Sequence, residues 1–250
     1  MESVYIGLFF IFGVIFGSFY NVVGLRLPVG ESIMFPGSHC PVCKKELRPW
    51  ELIPVASYFL LNGKCRTCET KISPIYPTIE LISGLLFAYS FYRYQWSLEL
   101  IAVLLLLSLL IIITVSDIKY LLIPNKILLF FSFVFLLVHW INPLTTWSDS
   151  IFGAVIGFFL LFLIAFISKG GMGGGDIKLF ALLGFVMGVK SVLFIFFFSS
   201  LFGSLFGLFM MAIGKLKRKT AIPFGPFIAL GTVFTLFFSD AIFQWYLNLL

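Results

Sequence analysis

The chain is short of charge. Asp, Glu, Lys and Arg make up only 11% of its 250 residues, against about a quarter in an ordinary water-soluble domain. That is too little polar surface to cover a globule in water, so a soluble fold is excluded. Disorder is excluded too, because disordered chains are poor in aromatics and this one is 19% Phe, Trp and Tyr. Nor does the start resemble a cleavable signal. Residues 1–27 have no basic opening, too long an apolar run and no small-x-small cleavage site, so they read as a retained helix. Cysteine is absent from every apolar run; all four cysteines lie in one polar loop. What remains is an all-α, multi-pass membrane protein, 60% hydrophobic by residue.

A helix needs about 20 apolar residues to cross the hydrocarbon. Runs at 4–24, 75–92, 98–116, 127–141, 151–168, 177–189, 191–213 and 226–248 predict about eight transmembrane helices. The stretch 177–213 could instead be one long helix broken near Gly188-Val189-Lys190. With eight crossings and the N-terminus outside, fifteen of the 17 Lys and Arg fall in inner loops, and only Arg93 and Lys190 fall outside. That is a strong positive-inside bias. The excess of basic residues is therefore read as orientation in the cytoplasmic membrane, with no nucleic acid as partner. Seven crossings would put the basic run Lys215–Lys219 outside. Trp96, Trp140, Trp147 and Trp245 fall at the outer ends, as an interfacial belt would.

Four GxxxG pairs, Gly13/Gly17, Gly153/Gly157, Gly184/Gly188 and Gly203/Gly207, allow close helix approach. They are read as packing within the chain, and a homodimer stays open. The expected organisation is a first transmembrane helix at 1–25, a cytoplasmic tetracysteine loop at 26–74 and a seven-helix membrane domain at 75–250.

The loop reads Cys40-Pro-Val-Cys43, then 21 residues, then Cys65-Arg-Thr-Cys68. Two residues between cysteines let both sulfurs of a tight turn reach one ion, and two such turns complete a tetrahedron. The expectation is a structural Zn2+ that staples a loop too small to hold a shape alone. Four thiolates leave no open coordination position. Two disulfides are the alternative, disfavoured on the reducing side of the membrane. His39 reads as a loop residue rather than a fifth ligand.

Acidic residues in or beside spans are candidates for function. Asp117 ends the third span and Asp176 opens the sixth, after Gly173-Gly174-Gly175. Parity puts both at cytoplasmic helix ends. Two carboxylates at one depth are what aspartyl protease chemistry requires, because a close pair cannot both ionise: one takes a proton from water and the other gives one to the scissile carbonyl. The sixth span is too short to fill the bilayer, so the glycine-rich segment from Gly170 would reach a watered cavity, where irregular backbone is tolerated. The plainer readings are that Asp117 pairs with Lys119 or Lys126 and that Asp176 caps its own helix. Glu80, in the second span, could be a third site carboxylate or a partner for a base. Asp149 and Asp240 read as interfacial charges.

At this point the chain resembles the bacterial type IV prepilin peptidase family. Gly17-Ser18-Phe19-Tyr20-Asn21-Val22 with Arg26-Leu27-Pro28 is similar to its opening motif. The two C-x2-C pairs, Tyr76-Pro77 with Glu80, Asp117 with Ile123-Pro124-Asn125, and Gly173-Gly174-Gly175-Asp176-Ile177-Lys178 follow in the family's order. The last carries the GxGD signature, and the short length resembles the competence-type enzymes of Gram-positive bacteria. The resemblance implies a bifunctional enzyme. It would cut the basic leader from type IV prepilins or pseudopilins at the cytoplasmic face. It would then methylate the new N-terminal amine with S-adenosylmethionine. Asp117 and Asp176 match the catalytic pair, with Gly173, Gly174, Gly175 and Lys178 as loop support and Glu80, Asn21 and Arg26 as accessory candidates. The residues themselves carry only the peptidase half, because no GxGxxG-type cofactor fold is present. Two other readings compete: another GxGD intramembrane protease, of the signal-peptide-peptidase kind, and a transporter or assembly protein using the acids as an ion path.

Overall fold

The computed structural model describes residues 2–168, 171–215, 217 and 221–247, with side chains as far as 239. Lys169, Gly170, Arg218, Lys219 and the side chains of Asp240, Trp245 and Tyr246 lie outside the described residues. Every long element is a helix: α1 (Glu2–Arg26), α2 (Ala56–Leu60), α3 (Ile75–Tyr94), α4 (Leu98–Tyr120), α5 (Asn125–Ile141), α6 (Trp147–Ile167), α7 (Gly174–Ala212) and α8 (Gly225–Leu247). No strand forms among the described residues beyond isolated bridges His39–Glu46 and Lys64–Lys71. Lipid cannot satisfy backbone groups, and helices do so internally.

Each apolar run becomes a helix, but not all are long and apolar enough to cross a membrane. Among the described residues four are: Glu2–Val29, Leu98–Tyr120, Trp147–Ile167 and Gly174–Ala212. Asn125–Ile141 and Gly225–Ser239 are shorter apolar helices, and α3 is diluted by Glu80, Ser83 and Ser90, all buried. Length and composition alone thus support four crossing helices among the described residues, against the eight expected. The two runs at 177–189 and 191–213 are joined directly: α7 is 39 residues long and kinked at Gly188 (φ 79, ψ −179). Only glycine adopts that backbone readily.

The chain divides into two compact units, 1–115 and 116–250, with the boundary inside α4. In the first, α1 lies against α3. A Cβ on Gly13 would meet the backbone of Gly84 at 2.8 Å, and one on Gly17 would meet Glu80 Cα at 2.8 Å. The Tyr20 hydroxyl bonds the Ser108 hydroxyl at 2.5 Å, tying α1 to α4. Phe9 stacks on Phe91 at 4.5 Å, with Trp96 edge-on to Phe91 at 5.3 Å.

In the second unit, α6 packs along α7 at backbone contact. A Cβ on Gly153 would run into the Gly184 carbonyl, and one on Gly157 would meet Phe180 O at 2.5 Å. Lipid tails are as apolar as leucine, so such close fit, rather than hydrophobic exclusion, holds membrane helices together. Asp149, in the first turn of α6, accepts the Val189 amide on Oδ1 at 3.2 Å. It thus caps the half of α7 that restarts after Gly188, a task its reading as an interfacial charge missed. Its own amide is held in turn by the Thr146 hydroxyl at 3.4 Å.

Candidate active site and metal centre

In the second unit the turn between α4 and α5 organises the two candidate aspartates. Asp117 sits in the last turn of α4 and is buried. Beyond it, Leu121 takes a left-handed conformation (φ 52), the Ser116 hydroxyl donates to Leu122 O at 2.5 Å, and Ile123-Pro124 leads into α5. Ile123 lies where a Cβ on Gly175 would fall, 2.7 Å from its own Cβ. Lys178 Nζ donates to Asn125 Oδ1 at 2.9 Å. These two contacts seat the start of α7, and with it Asp176, beside the α4–α5 turn.

The Asp176 amide bonds Gly173 O at 3.1 Å, and its carboxylate turns back over Gly173, 2.9 Å from where a Cβ would stand. Gly174 faces open space, so the triplet needs its glycines at 173 and 175. Asp117 is not paired with Lys119 or Lys126. Its Oδ2 accepts the buried amide of Gly225 at 2.7 Å, 108 residues away. The sequence reading missed Gly225. The Gly-Pro pair at 225–226 signals a helix start, but nothing in it names the partner.

The four cysteines form a separate cluster in the first unit. Their Sγ atoms all lie within 4.8 Å of one another, with Cys40–Cys68 at 3.7 Å and Cys43–Cys65 at 4.0 Å. A zinc tetrathiolate with bonds of about 2.3 Å has sulfurs about 3.8 Å apart, so the cluster fits a metal such as zinc and not disulfides. The two knuckles repeat each other. In each, the first cysteine exchanges backbone bonds of 2.9 Å with the residues four and five further on (Lys44 and Lys45; Glu69 and Thr70), and Lys44 and Glu69 have φ 59 and 55. The Thr70 hydroxyl and amide hold the Cys68 thiol down to about 6. At Cys43 the Lys45 amide favours the thiolate, but desolvation and the other three cysteines push it up to about 11. The His39 ring faces Gly37 O at 2.9 Å.

The accessory candidates also lie in the first unit and shape the loop. The Arg26 guanidinium donates to the carbonyls of Ser32, Pro36 and Gly37 at 3.1, 2.8 and 3.2 Å. Glu80 accepts the Val55 amide at 2.7 Å. Val55 is held at φ 61, a conformation costly for a β-branched residue. Asn21 donates to Tyr76 O at 3.3 Å, while its Oδ1 is buried without a partner.

Residues 11–94 match the bacterial peptidase A24 N-terminal domain, and residues 104–208 match the type IV leader peptidase family. The chain is 44% identical to the prepilin leader peptidase/N-methyltransferase of Bacillus subtilis, over 98% of each chain. The chain belongs to the type IV leader peptidase family. Relatives of this family with the same name match in Pseudomonas aeruginosa, at 32% over 94% of this chain and 91% of the relative, and in Neisseria gonorrhoeae, at 33% over 86% and 84%. No solved structure matches. With four long apolar helices in a family of this name, the chain is a multi-pass membrane protein.

Proposed function

We propose that this protein is a membrane aspartyl endopeptidase that removes the leader of type IV prepilins or pseudopilins. Asp117 and Asp176 are its catalytic pair. The observation that supports the reading is that the Ile123–Gly175 and Lys178–Asn125 contacts seat the start of α7, which carries Asp176, against the turn that follows Asp117. One carboxylate takes a proton from water as the water oxygen attacks the scissile carbonyl, and the other gives its proton to the carbonyl oxygen. On collapse the C–N bond breaks, the first returns its proton to the leaving amine and the second recovers one from the diol. Water is consumed and the pair is restored.

The membrane arrangement proposed with it has eight crossings, the N-terminus outside and the site open to the cytoplasm, as the basic residues support. The tetracysteine loop at 26–74 is a cytoplasmic module between the first crossing at 1–25 and the peptidase domain at 75–250. Cys40, Cys43, Cys65 and Cys68 would hold Zn2+, whose chemistry here is to staple that loop.

The printed name of the relatives supports a second step, methylation of the newly exposed N-terminal amine. S-adenosylmethionine would supply the methyl group. The greater identity with the Bacillus subtilis relative than with the other two supports a Gram-positive type of enzyme, serving a competence pilus or a related filament.

The test is the intact mass of a prepilin co-expressed with this protein or with Asp176→Asn. Leader loss with wild type alone supports the reading, and a methyl group on that product supports the second step. A leader retained with both, across a panel of prepilins, rejects it and favours a transporter or assembly role.

A further inference from the structure

The geometry points to Gly225 as a positioning residue for the proposed catalytic pair: its backbone amide, at the start of α8, clamps one oxygen of Asp117 and leaves the other to act. This rests on the peptidase reading above.

The sequence Phe224-Gly225-Pro226 builds the clamp. The amides of Phe227 and Ile228 both turn back to Phe224 O, at 3.0 Å each. Pro226 has no amide hydrogen. Of the first turn of α8, that leaves the Gly225 amide free to point out of the helix, and it points at Asp117 Oδ2 at 2.7 Å in a buried setting. A bond this short, from the positive end of a helix to a carboxylate, is the strong, charge-assisted kind.

Glycine is what allows the approach. A Cβ at 225 would stand 2.9 Å from Asp117 Oδ2, 3.1 Å from its Cβ and 3.2 Å from its Cγ. Any side chain would push the carboxylate off the amide. With Oδ2 engaged, Oδ1 is the oxygen that meets water or substrate. Fixing the carboxylate in this way aims Oδ1, and an error of about 1 Å in such aim costs about a hundredfold in rate. Asp176 is held differently, over Gly173 on its own helix, so the clamp belongs to Asp117.

The experiment removes the amide hydrogen; the ester also weakens the Phe224 carbonyl that Phe227 and Ile228 share, an effect the unfolding midpoint reads separately. Glycolate is incorporated at position 225 of the full chain by suppressor-tRNA translation into nanodiscs, which swaps N–H for O. Prepilin cleavage is then measured beside Gly225→Ala, Asp117→Asn and, as a helix glycine with room for a methyl, Gly207→Ala. The inference expects kcat about 10- to 100-fold lower for the ester and for Gly225→Ala, KM within about twofold of wild type, and Gly207→Ala unchanged. Unfolding midpoints are recorded for all. An ester enzyme with wild-type kcat overturns the inference, as does a loss that lies wholly in KM. If Asp117→Asn is dead while the ester is active, only the Gly225 inference fails. If Asp117→Asn itself cleaves at the wild-type rate, the peptidase reading falls with it.

Discussion

Two GxxxG pairs in this chain read alike as sequence and predict opposite responses to alanine. At Gly153 a Cβ would lie 2.8 Å from Gly188 C and 2.9 Å from Gly184 C, with the Gly184 carbonyl oxygen nearer still. All three are backbone atoms, so no rotamer change relieves the clash. α6 and α7 must separate by about half an ångström or more, and overpacking of that order costs about 1–3 kcal/mol. At Gly207 the nearest atom to a Cβ is Ile222 Cδ1 at 3.6 Å, and at Gly203 it is a Phe227 ring carbon at 3.6 Å. Those are ordinary contacts. There alanine only restricts the unfolded backbone, which favours the helix by about 0.5–1 kcal/mol. Thermal unfolding in nanodiscs, followed by intrinsic fluorescence, reads both. Gly153→Ala is expected to lower the midpoint by at least about 3 °C, and Gly207→Ala to leave it level or raise it. Because the same α6–α7 contact carries the helix whose first turn holds Asp176, Gly153→Ala should also slow cleavage. Equal shifts at the two sites, or a Gly153→Ala midpoint at or above wild type, would refute the packing argument.

Other perturbations follow from single contacts. Purified protein should carry one zinc per chain by elemental analysis; Cys40→Ser should lose it, and chelator or acid should strip it because the sulfurs bind as thiolates. Asp149→Ala should destabilise the fold by about 0.5–2 kcal/mol by uncapping the second half of α7, whereas Asp149→Asn, which still offers an oxygen to Val189, should cost less in the same melt. Arg26→Ala releases three carbonyls of the segment 32–37, so limited proteolysis there should speed up while Arg26→Lys gives an intermediate rate.

Much of this was legible in the sequence, and what was not has physical reasons. Helix positions follow from apolar runs, since the bilayer leaves no other structure open to them. A hydropathy average understates α3, whose polar Glu80, Ser83 and Ser90 are buried inside the protein. The break at Gly188 was signalled only as a choice between one helix and two; the deciding cap, Asp149, lies 40 residues away from Val189. The cysteine cluster was readable because both knuckles are local, four residues each, and only their meeting is tertiary. The carboxylate pair was suggested by charge parity, but the Ile123–Gly175 and Lys178–Asn125 contacts that seat it span about 50 residues of chain. Gly225 was invisible for the same reason: a backbone amide leaves no trace in a side-chain pattern.

The central claim is that Asp117 and Asp176 act together as the peptidase pair. The most direct measurement is single-turnover cleavage of a purified prepilin by wild type, Asp117→Asn and Asp176→Asn in nanodiscs, with unfolding midpoints recorded for each. The account predicts that each amide variant folds as wild type does and loses at least about a thousandfold in rate, since neither proton transfer can be completed alone. A variant that keeps cleaving within about tenfold of wild type would contradict it.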